Sequence, residues 1–297
     1  MIRRLLALIA FTFIALPLFA WGEKGHYIVN EAATMTLPTD MPTFFYRAFP
    51  QLVWDAYDPD RWKGAGASED AANPPEHFLD YEYVADLKLP PARYKFIDLL
   101  YTSGTLRRHG IANSEPGFLP WRIAELADRL TIEWRIWRTT PASERRFIEA
   151  DIIRDSGVLG HYVGDASNPH HATENFNGWI YPNPNHYATD CGTHDRFERY
   201  FISHAMTTND VVPKVAAPVL RTDYFATAIG EVRDSNALVE TLYRIDRDGG
   251  FDLFKPVSRE GFDFAAARLA AGAGTLRDLW WSAWKNSEKP RRRQTEE

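Results

Sequence analysis

The densest group of residues that could do chemistry is the segment HYVGDASNPHH, residues 161–171. If this segment is helical, His161 and Asp165 stand at positions i and i+4, so an imidazole and a carboxylate leave the same helix face. Such a pair can hold one metal ion. Pro169 should end the helix, and His170 or His171 could then fold back to offer a ligand for a second ion.

A second pair of the same kind occurs in THDRFERYF, residues 193–201, where His194 and Glu198 are again four residues apart. A lone pair with this spacing is usually a surface or capping contact. Two such pairs on either side of one polar loop are much more specific, and these two segments hold four of the nine histidines. We therefore predict a metal site that uses both segments.

Two further candidates lie upstream, His77 in PPEHFLDYE and Asp60 in the DPDRW segment. Taken alone, His77 would more often be a half-buried packing residue, and an aspartate after proline would more often form a turn. Asp58 is a rival to Asp60 as the ligand from this loop. The sequence leaves that choice open.

The chain begins with the layout of a secretory signal peptide, since Arg3 and Arg4 precede an apolar run that leads to Ala20. Cleavage would make residue 21 the new N-terminus and would place the protein outside the cell or in the periplasm. An uncleaved N-terminal anchor is the alternative. The α-amine freed at Trp21, with a pKa of about 8, could lose its proton to a metal ion, and His26 follows close by. The simpler interpretation of Trp21 is an aromatic plug at the edge of the domain.

The composition limits the classes of function. Removal of residues 1–20 takes away two arginines and no acid, so the formal charge changes from −6 to −8. This balance gives no sign of a strongly basic nucleic-acid groove. A single cysteine, Cys191, excludes an internal disulfide, so bound metal is a candidate for tying loop-rich parts together. The sequence implies no protein partner, and no segment after residue 20 is apolar enough to span a membrane.

The periodicity of apolar residues predicts an all-α protein with one helical domain over residues 21–288, followed by a disordered tail at 289–297. Loops are predicted at 57–77 and 172–192, where Pro, Gly, Asp and Asn accumulate. The predicted helices cover residues 24–36, 92–102, 120–138, 142–165, 193–206, 212–245 and 258–286.

The ordered set of motifs resembles a known family, the zinc-dependent bacterial phospholipases C together with the fungal single-strand-specific zinc nucleases. The resemblance covers Trp21 to about Glu198 and implies three zinc ions at the base of a cleft in a helical domain. It implies that Asp165 bridges two ions and that His170 is a neighbour of the site. Our hypothesis for the mechanism is that Asp60, besides binding zinc, orients or deprotonates the water. The zinc ligands that the resemblance implies are Trp21, His26, Asp60, His77, His161, Asp165, His171, His194 and Glu198.

The resemblance implies a hydrolase that cleaves a phosphodiester with a zinc-activated water. The segment HATENF and Glu198 are nearer the phospholipase C branch, whereas the opening WGEKGH is nearer the nuclease branch. A single-strand-specific endonuclease or 3'-nucleotidase is therefore the alternative, with Phe176, Trp179 and Tyr181 as candidates for base stacking. The substrate would be a phospholipid head group or a single-stranded nucleic acid. A non-enzymatic binding module with structural zinc is the third hypothesis.

Ligand histidines need acceptors for their second ring nitrogen. Four carboxylates near the motifs are available for that role: Asp80, Asp155, Glu174 and Asp195. For any one of them, solvation at the surface is the more common role.

Overall fold

The computed structural model describes residues 21–288, and the predictions for residues 1–20 and 289–297 lie outside that range. The described chain is all-α. Its helices are α1 (Gly22–Met35), α2 (Thr43–Arg47), α3 (Phe49–Asp55), α4 (Asp58–Arg61), α5 (Ala67–Ala72), α6 (Arg93–Thr102), α7 (Thr105–His109), α8 (Leu119–Thr139), α9 (Arg145–Ser167), α10 (Ile202–Ala205), α11 (Thr208–Val211), α12 (Tyr224–Asn236), α13 (Val239–Arg247) and α14 (Arg259–Asn286).

Helix α9 is the centre of the fold, with α8, α14, α3 and α1 packed around it. Helix α8 buries Ile123, Ala127 and Leu130 on one face, as its periodicity predicts. Helix α14 can approach α9 closely because it is rich in small residues. A Cβ at Gly272 would lie 2.7 Å from the hydroxyl of Ser167, so only glycine fits there without a shift.

Helix α9 ends as the sequence predicts, one residue before the Asn168-Pro169 pair. Its last carbonyl groups are buried and need partners. Ser235 donates to the carbonyl of Ala166 at 2.6 Å, and Arg268 Nε donates to the carbonyl of Ser167 at 2.8 Å. These contacts from α12 and α14 fix the end of the helix that carries His161 and Asp165.

Two predictions of local structure were wrong. Residues 57–77 contain α4, α5 and a 3-10 turn at Pro74–Glu76, so this stretch is more ordered than a loop. The predicted helix 212–245 is two helices, α12 and α13, preceded by an extended segment. Pro213 and Pro218 interrupt the helix, because proline lacks the N–H of the helical ladder. The predicted helix 193–206 is present, as a π-helical segment at Asp195–Phe201 that continues into α10.

The described residues contain an isolated β-bridge, between Leu79 and Gly117, and no strand. The backbone N–H of Leu79 also donates to the carbonyl of His171 at 2.9 Å. The segment after His77 is therefore attached directly to the turn that carries His171. Within residues 21–288, none of the helices has the length and apolar character needed to cross a membrane.

Candidate metal centre

Helix α1 brings His26 against His161 because α9 has glycines on the facing side. A Cβ at Gly160 would lie 1.9 Å from Asn30 Oδ1, and one at Gly164 would lie 3.0 Å from His26 Nδ1. The two helices can therefore approach much more closely than side chains would allow. The rings of His26 and His161 are stacked with centroids 3.9 Å apart, and both residues are fully buried.

The pair of His26 and His161 forms one side of a cluster, and the segment from α4 to His77 forms a second side. Asp60 Oδ1 lies 3.9 Å from His77 Nδ1 and 3.8 Å from His161 Nε2. Asn73 links the two ends of this segment. Its Nδ2 donates to the carbonyl of Pro59 at 2.8 Å, and its Oδ1 lies 3.2 Å from His77 Nε2. One amide thus fixes both the helix that carries Asp60 and the orientation of the His77 ring.

Asp58 and Asp60 have different contacts. Asp58 forms ion pairs with Arg61 at 2.6 Å and with Arg154, so its carboxylate is turned toward two guanidinium groups. Asp60 is buried and faces the histidines. The geometry therefore favours Asp60 as the ligand from this segment.

The turn after α9 and the π-helical segment Asp195–Phe201 form the third side of the cluster. His194 Nε2 lies 2.8 Å from Glu198 Oε2 and 3.3 Å from His171 Nε2. Asn168 Nδ2 donates to Glu198 Oε2 at 2.8 Å. Asn168 also accepts from the backbone N–H of His170, so the residue that begins the turn also positions Glu198.

Asp165 lies between these three sides of the cluster. Its Oδ2 lies 3.0 Å from His77 Nδ1 and 3.4 Å from His161 Nε2, whereas its Oδ1 lies 3.6 Å from His26 Nε2 and 3.8 Å from His171 Nδ1. The two oxygens face different histidines, as a carboxylate that bridges two cations must.

The structure brings all eight predicted side chains into one buried cluster. They form three groups whose ligand atoms lie within 4.8 Å of one another, namely His26 with His161 and Asp165, Asp60 with His77 and His161, and His171 with His194 and Glu198. Trp21, the ninth predicted position, is fully buried beside them. Its indole Nε1 donates to the carbonyl of Gly164, and its ring packs on Phe197 at 5.3 Å. Trp21 therefore occupies the plug position, and a role for its amine remains a prediction.

In three of the histidines, a hydrogen bond made by one ring nitrogen sets the orientation of the ring. His161 Nδ1 lies 2.8 Å from the carbonyl of Ala56, and His171 Nδ1 lies 2.7 Å from the carbonyl of His77. A carbonyl accepts only, so each of these nitrogens carries the proton and Nε2 keeps its lone pair. For His77 the roles are reversed, since Nε2 faces Asn73 Oδ1 and Nδ1 faces Asp165.

In the described residues none of the four candidate carboxylates, Asp80, Asp155, Glu174 and Asp195, accepts a hydrogen bond from a histidine of the cluster. Asp155 lies 3.4 Å from Arg129, and Glu174 accepts from Tyr181. Two backbone carbonyls and Asn73 accept from the histidines instead. The reason is spatial, because a carbonyl from a neighbouring segment reaches the inner ring nitrogen without adding another charge to a buried site.

Burial sets the protonation of the cluster. It lowers the pKa of His26, His77 and His161 well below the ordinary value, and that of His194 to about 3. It raises the pKa of Asp165 well above its ordinary range and that of Glu198 to about 8. Neutral imidazoles are the form that ligates metal, and a bound cation favours the ionised carboxylates.

Several buried polar atoms of the cluster have no hydrogen-bond partner, which is costly unless a ligand satisfies them. Both ring nitrogens of His26, Nδ1 of His194, Oε1 of Glu198 and Oδ1 of Asp165 are in this state. These nitrogen and carboxylate donors suit zinc. The residues present therefore fit a group of divalent cations.

Sequence reasoning missed Lys63 as well as Asn73. The Lys63 ammonium lies 2.5 Å from Asp60 Oδ1 and its side chain is partly exposed, so it places a positive charge beside the cluster. The i+3 spacing from Asp60 on a short helical turn is the signal that could have indicated it. No local pattern indicates Asn73, because its two partners come from different segments.

The three predicted aromatic residues differ in their surroundings. Phe176 is partly exposed, and its ring lies 6.3 Å from that of His194. Trp179 packs on Tyr243 and Tyr187 at 5.4 and 4.9 Å, so its indole belongs to an aromatic cluster of the fold. Tyr181 donates to Glu174. Phe176 is therefore the best placed of the three to meet a bound molecule.

His170 is buried and stacks on the His194 ring at 4.9 Å. It belongs to none of the three groups of possible ligands, as expected for a neighbour.

No protein-family model and no curated protein sequence matches the chain. Among solved structures, an alpha toxin from Clostridium absonum is similar with a TM-score of 0.47 and 14% identity, over 92% of this chain and 68% of that one. An alpha-toxin from an avian strain of Clostridium perfringens has a TM-score of 0.42 and 15% identity, over 92% and 66% of the two chains. This chain thus spans about two thirds of those longer proteins. Likeness at this level carries nothing about activity or substrate.

Proposed function

We propose that the protein is a zinc-dependent phosphoric-ester hydrolase that cleaves a phosphodiester in the manner of a phospholipase C. The observation that carries the proposal is the central position of Asp165, with three groups of buried histidines and carboxylates around it. We further propose export after cleavage before Trp21, which would free the amine next to the cluster.

Nine positions would hold three zinc ions: Trp21 through its amine, and His26, Asp60, His77, His161, Asp165, His171, His194 and Glu198 through their side chains. Zinc in such a site supplies charge neutralisation at the phosphoryl oxygens and a water of lowered pKa. Histidine–carboxylate sites with few protein ligands per ion usually keep positions open for water, which supports an enzyme over a structural zinc module.

The residues of the chain have separate tasks in this proposal. Asp60 would orient the attacking water and hold its proton, because its carboxylate is at the cluster while its burial excludes competing solvent. Lys63 would face the phosphoryl group with a positive charge. Asn73, Ala56 and His77 would keep the ligating nitrogens of three imidazoles turned toward the ions.

A nuclease remains the second candidate because Phe176 lies next to His194 and could stack on a base. Two features weaken it. Trp179 is engaged in packing, and the formal charge of the whole chain is −6, without the basic excess that binds nucleic acid.

The test uses protein that begins at Trp21, with its zinc content measured and with phosphatidylcholine, single-stranded DNA and RNA offered in parallel. We expect three zinc ions per chain and hydrolysis of the lipid that a chelator abolishes. Asp60→Asn should lose activity by at least about a hundredfold, whereas Asp58→Asn, two residues away, should keep both zinc and activity. Zinc-loaded protein that cleaves none of the three substrates would refute the proposal, and cleavage of nucleic acid alone would replace it with the nuclease.

A further inference from the structure

His170 is a buried histidine that has no task in the proposed site. It comes directly before His171 in sequence, but it belongs to none of the three groups of possible ligands. Neither of its ring nitrogens makes a hydrogen bond of normal geometry within residues 21–288. A buried polar group without a partner is costly, and packing alone does not require an imidazole at this position.

The ring of His170 lies almost flat against that of His194, with centroids 4.9 Å apart and an angle of 21° between the planes. The rings of His171 and Phe176 meet His194 at steep angles, with centroids 5.1 and 6.3 Å away. Nδ1 of His194 has no hydrogen-bond partner among the described residues, whereas His161 and His171 each have a backbone carbonyl at this nitrogen. On the side away from the possible ligands, the neighbouring rings therefore set the orientation of His194.

The same imidazole faces the backbone that carries Phe176. Tyr243 fixes this backbone, since its hydroxyl donates to the carbonyl of Asn175 at 2.5 Å and accepts from the N–H of Gly178 at 2.9 Å. The Tyr243 ring lies 5.9 Å from that of His170. Burial lowers the pKa of His170 well below its ordinary value, and the carbonyl of Phe176 acts in the opposite direction. The imidazole is thus neutral with one N–H to donate, and that carbonyl is the acceptor beside it.

We propose that His170 is a positioning residue with two separable tasks. Its ring holds His194 in the orientation that zinc needs, and its N–H holds the carbonyl of Phe176, so that the Phe176 ring keeps its place beside His194. Stacked rings stabilise each other, and the neighbours that orient a ligand histidine raise its affinity for metal. The inference rests on the proposed function, in which His194 binds zinc and Phe176 meets the substrate.

Two variants separate the tasks, because His170→Phe keeps a ring without a donor and His170→Gln keeps a donor without a ring. In a zinc titration against a competing chelator, His170→Gln should bind one of the ions about tenfold more weakly, and His170→Phe should stay within about twofold of the unchanged protein. The visible spectrum of the cobalt-substituted protein should change in His170→Gln alone. His204→Gln is the control, because His204 is exposed on α10 and outside the cluster.

The second task is measured by hydrogen exchange of the amides of residues 173–178. His170→Phe should speed this exchange by about tenfold, since one hydrogen bond that holds the segment is lost, and His170→Gln should leave it unchanged. With an active enzyme, His170→Phe should raise KM and leave kcat unchanged, because Phe176 contacts the substrate without taking part in the chemistry.

Three results would overturn the proposal. Loss of a whole zinc ion in both variants would make His170 a ligand. Equal changes in both variants, in zinc affinity and in exchange alike, would reduce it to a packing residue, and no change in either variant would leave it without a task. If one variant fails to fold, the other still tests the task that it removes. Zinc affinity and exchange need no substrate, so protein that binds zinc and hydrolyses nothing would refute the proposed function while still testing His170.

Discussion

Replacement of Asn73 by alanine should weaken zinc binding without changing any ligand. The variant removes the acceptor 3.2 Å from His77 Nε2 and frees the carbonyl of Pro59 from its 2.8 Å hydrogen bond. His77 could then turn or change tautomer, so its Nδ1 would no longer face Asp60 and Asp165 in the correct form. A neutral hydrogen bond contributes about 1 kcal/mol net, and loss of such outer partners typically costs about 10- to 100-fold in metal affinity. Because 3.2 Å is long for a hydrogen bond, we expect about tenfold.

The assay is a zinc titration against a competing chelator, with the number of bound ions counted. Asn73→Asp separates the two tasks of the side chain, because it keeps an acceptor for His77 and loses the donor to Pro59. It should retain most of the affinity that Asn73→Ala loses. Asn286→Ala is the control, since Asn286 donates to the carbonyl of Arg221 at 3.0 Å and lies on α14. Equal zinc affinity in the alanine and aspartate variants would refute the role assigned to the Asn73 acceptor.

Three other predictions follow from the same structure. Gly160→Ala should destabilise the fold by about 2 kcal/mol in denaturant unfolding, because the new Cβ would lie 1.9 Å from Asn30 Oδ1, whereas Gly230→Ala on α12, with open space around it, should be neutral or slightly stabilising. Burial and the nearby Asp155 raise the pKa of Glu133 to about 8, so its favourable contribution is present below the unfolded value and is lost as pH rises through about 8. Glu133→Gln should therefore raise the melting temperature at pH 9 and leave it unchanged at pH 4, and no difference at pH 9 would contradict this reasoning. Residues added ahead of Trp21 should reduce the zinc content by one ion, and an unchanged content would exclude the amine as a ligand.

Local spacing was sufficient to predict part of the site. His161 with Asp165 and His194 with Glu198 each lie four residues apart, and the structure places each pair side by side, at 3.4 and 2.8 Å. The helices that carry apolar stripes, α8 and α14, agree with the prediction within two residues at each end. Both successes come from interactions within one or two helical turns, for which sequence separation is a good guide.

Other features depend on contacts between distant segments and could not be derived in this way. Helix α12 begins at an Asp223 cap whose side chain accepts from the N–H of Ala226. The extended segment before it is held by α14, through Arg277 to the carbonyl of Ala216 and Asp278 to the N–H of Val219. Pro213 and Pro218 were visible signals for the break, but the partners that stabilise the extended form lie about sixty residues further along the chain.

The separate environments of Asp58 and Asp60 show why composition and spacing leave such choices open. Both carboxylates belong to the first turn of α4, but that short helix points one of them outward and the other inward. Asp58 is neutralised by Arg61 and Arg154, and Arg154 also pairs with Asp55 at 3.0 Å. This network satisfies Asp58 without a metal.

Asp60 has the Lys63 ammonium on one side and the imidazoles of His77 and His161 on the other. A buried carboxylate is costly without positive charge around it. The Asp60 carboxylate is therefore stable only where a cation or the Lys63 ammonium faces it. The contacts of Asp58 thus account for a role in stability, whereas Asp60 lies where the proposed chemistry needs a carboxylate.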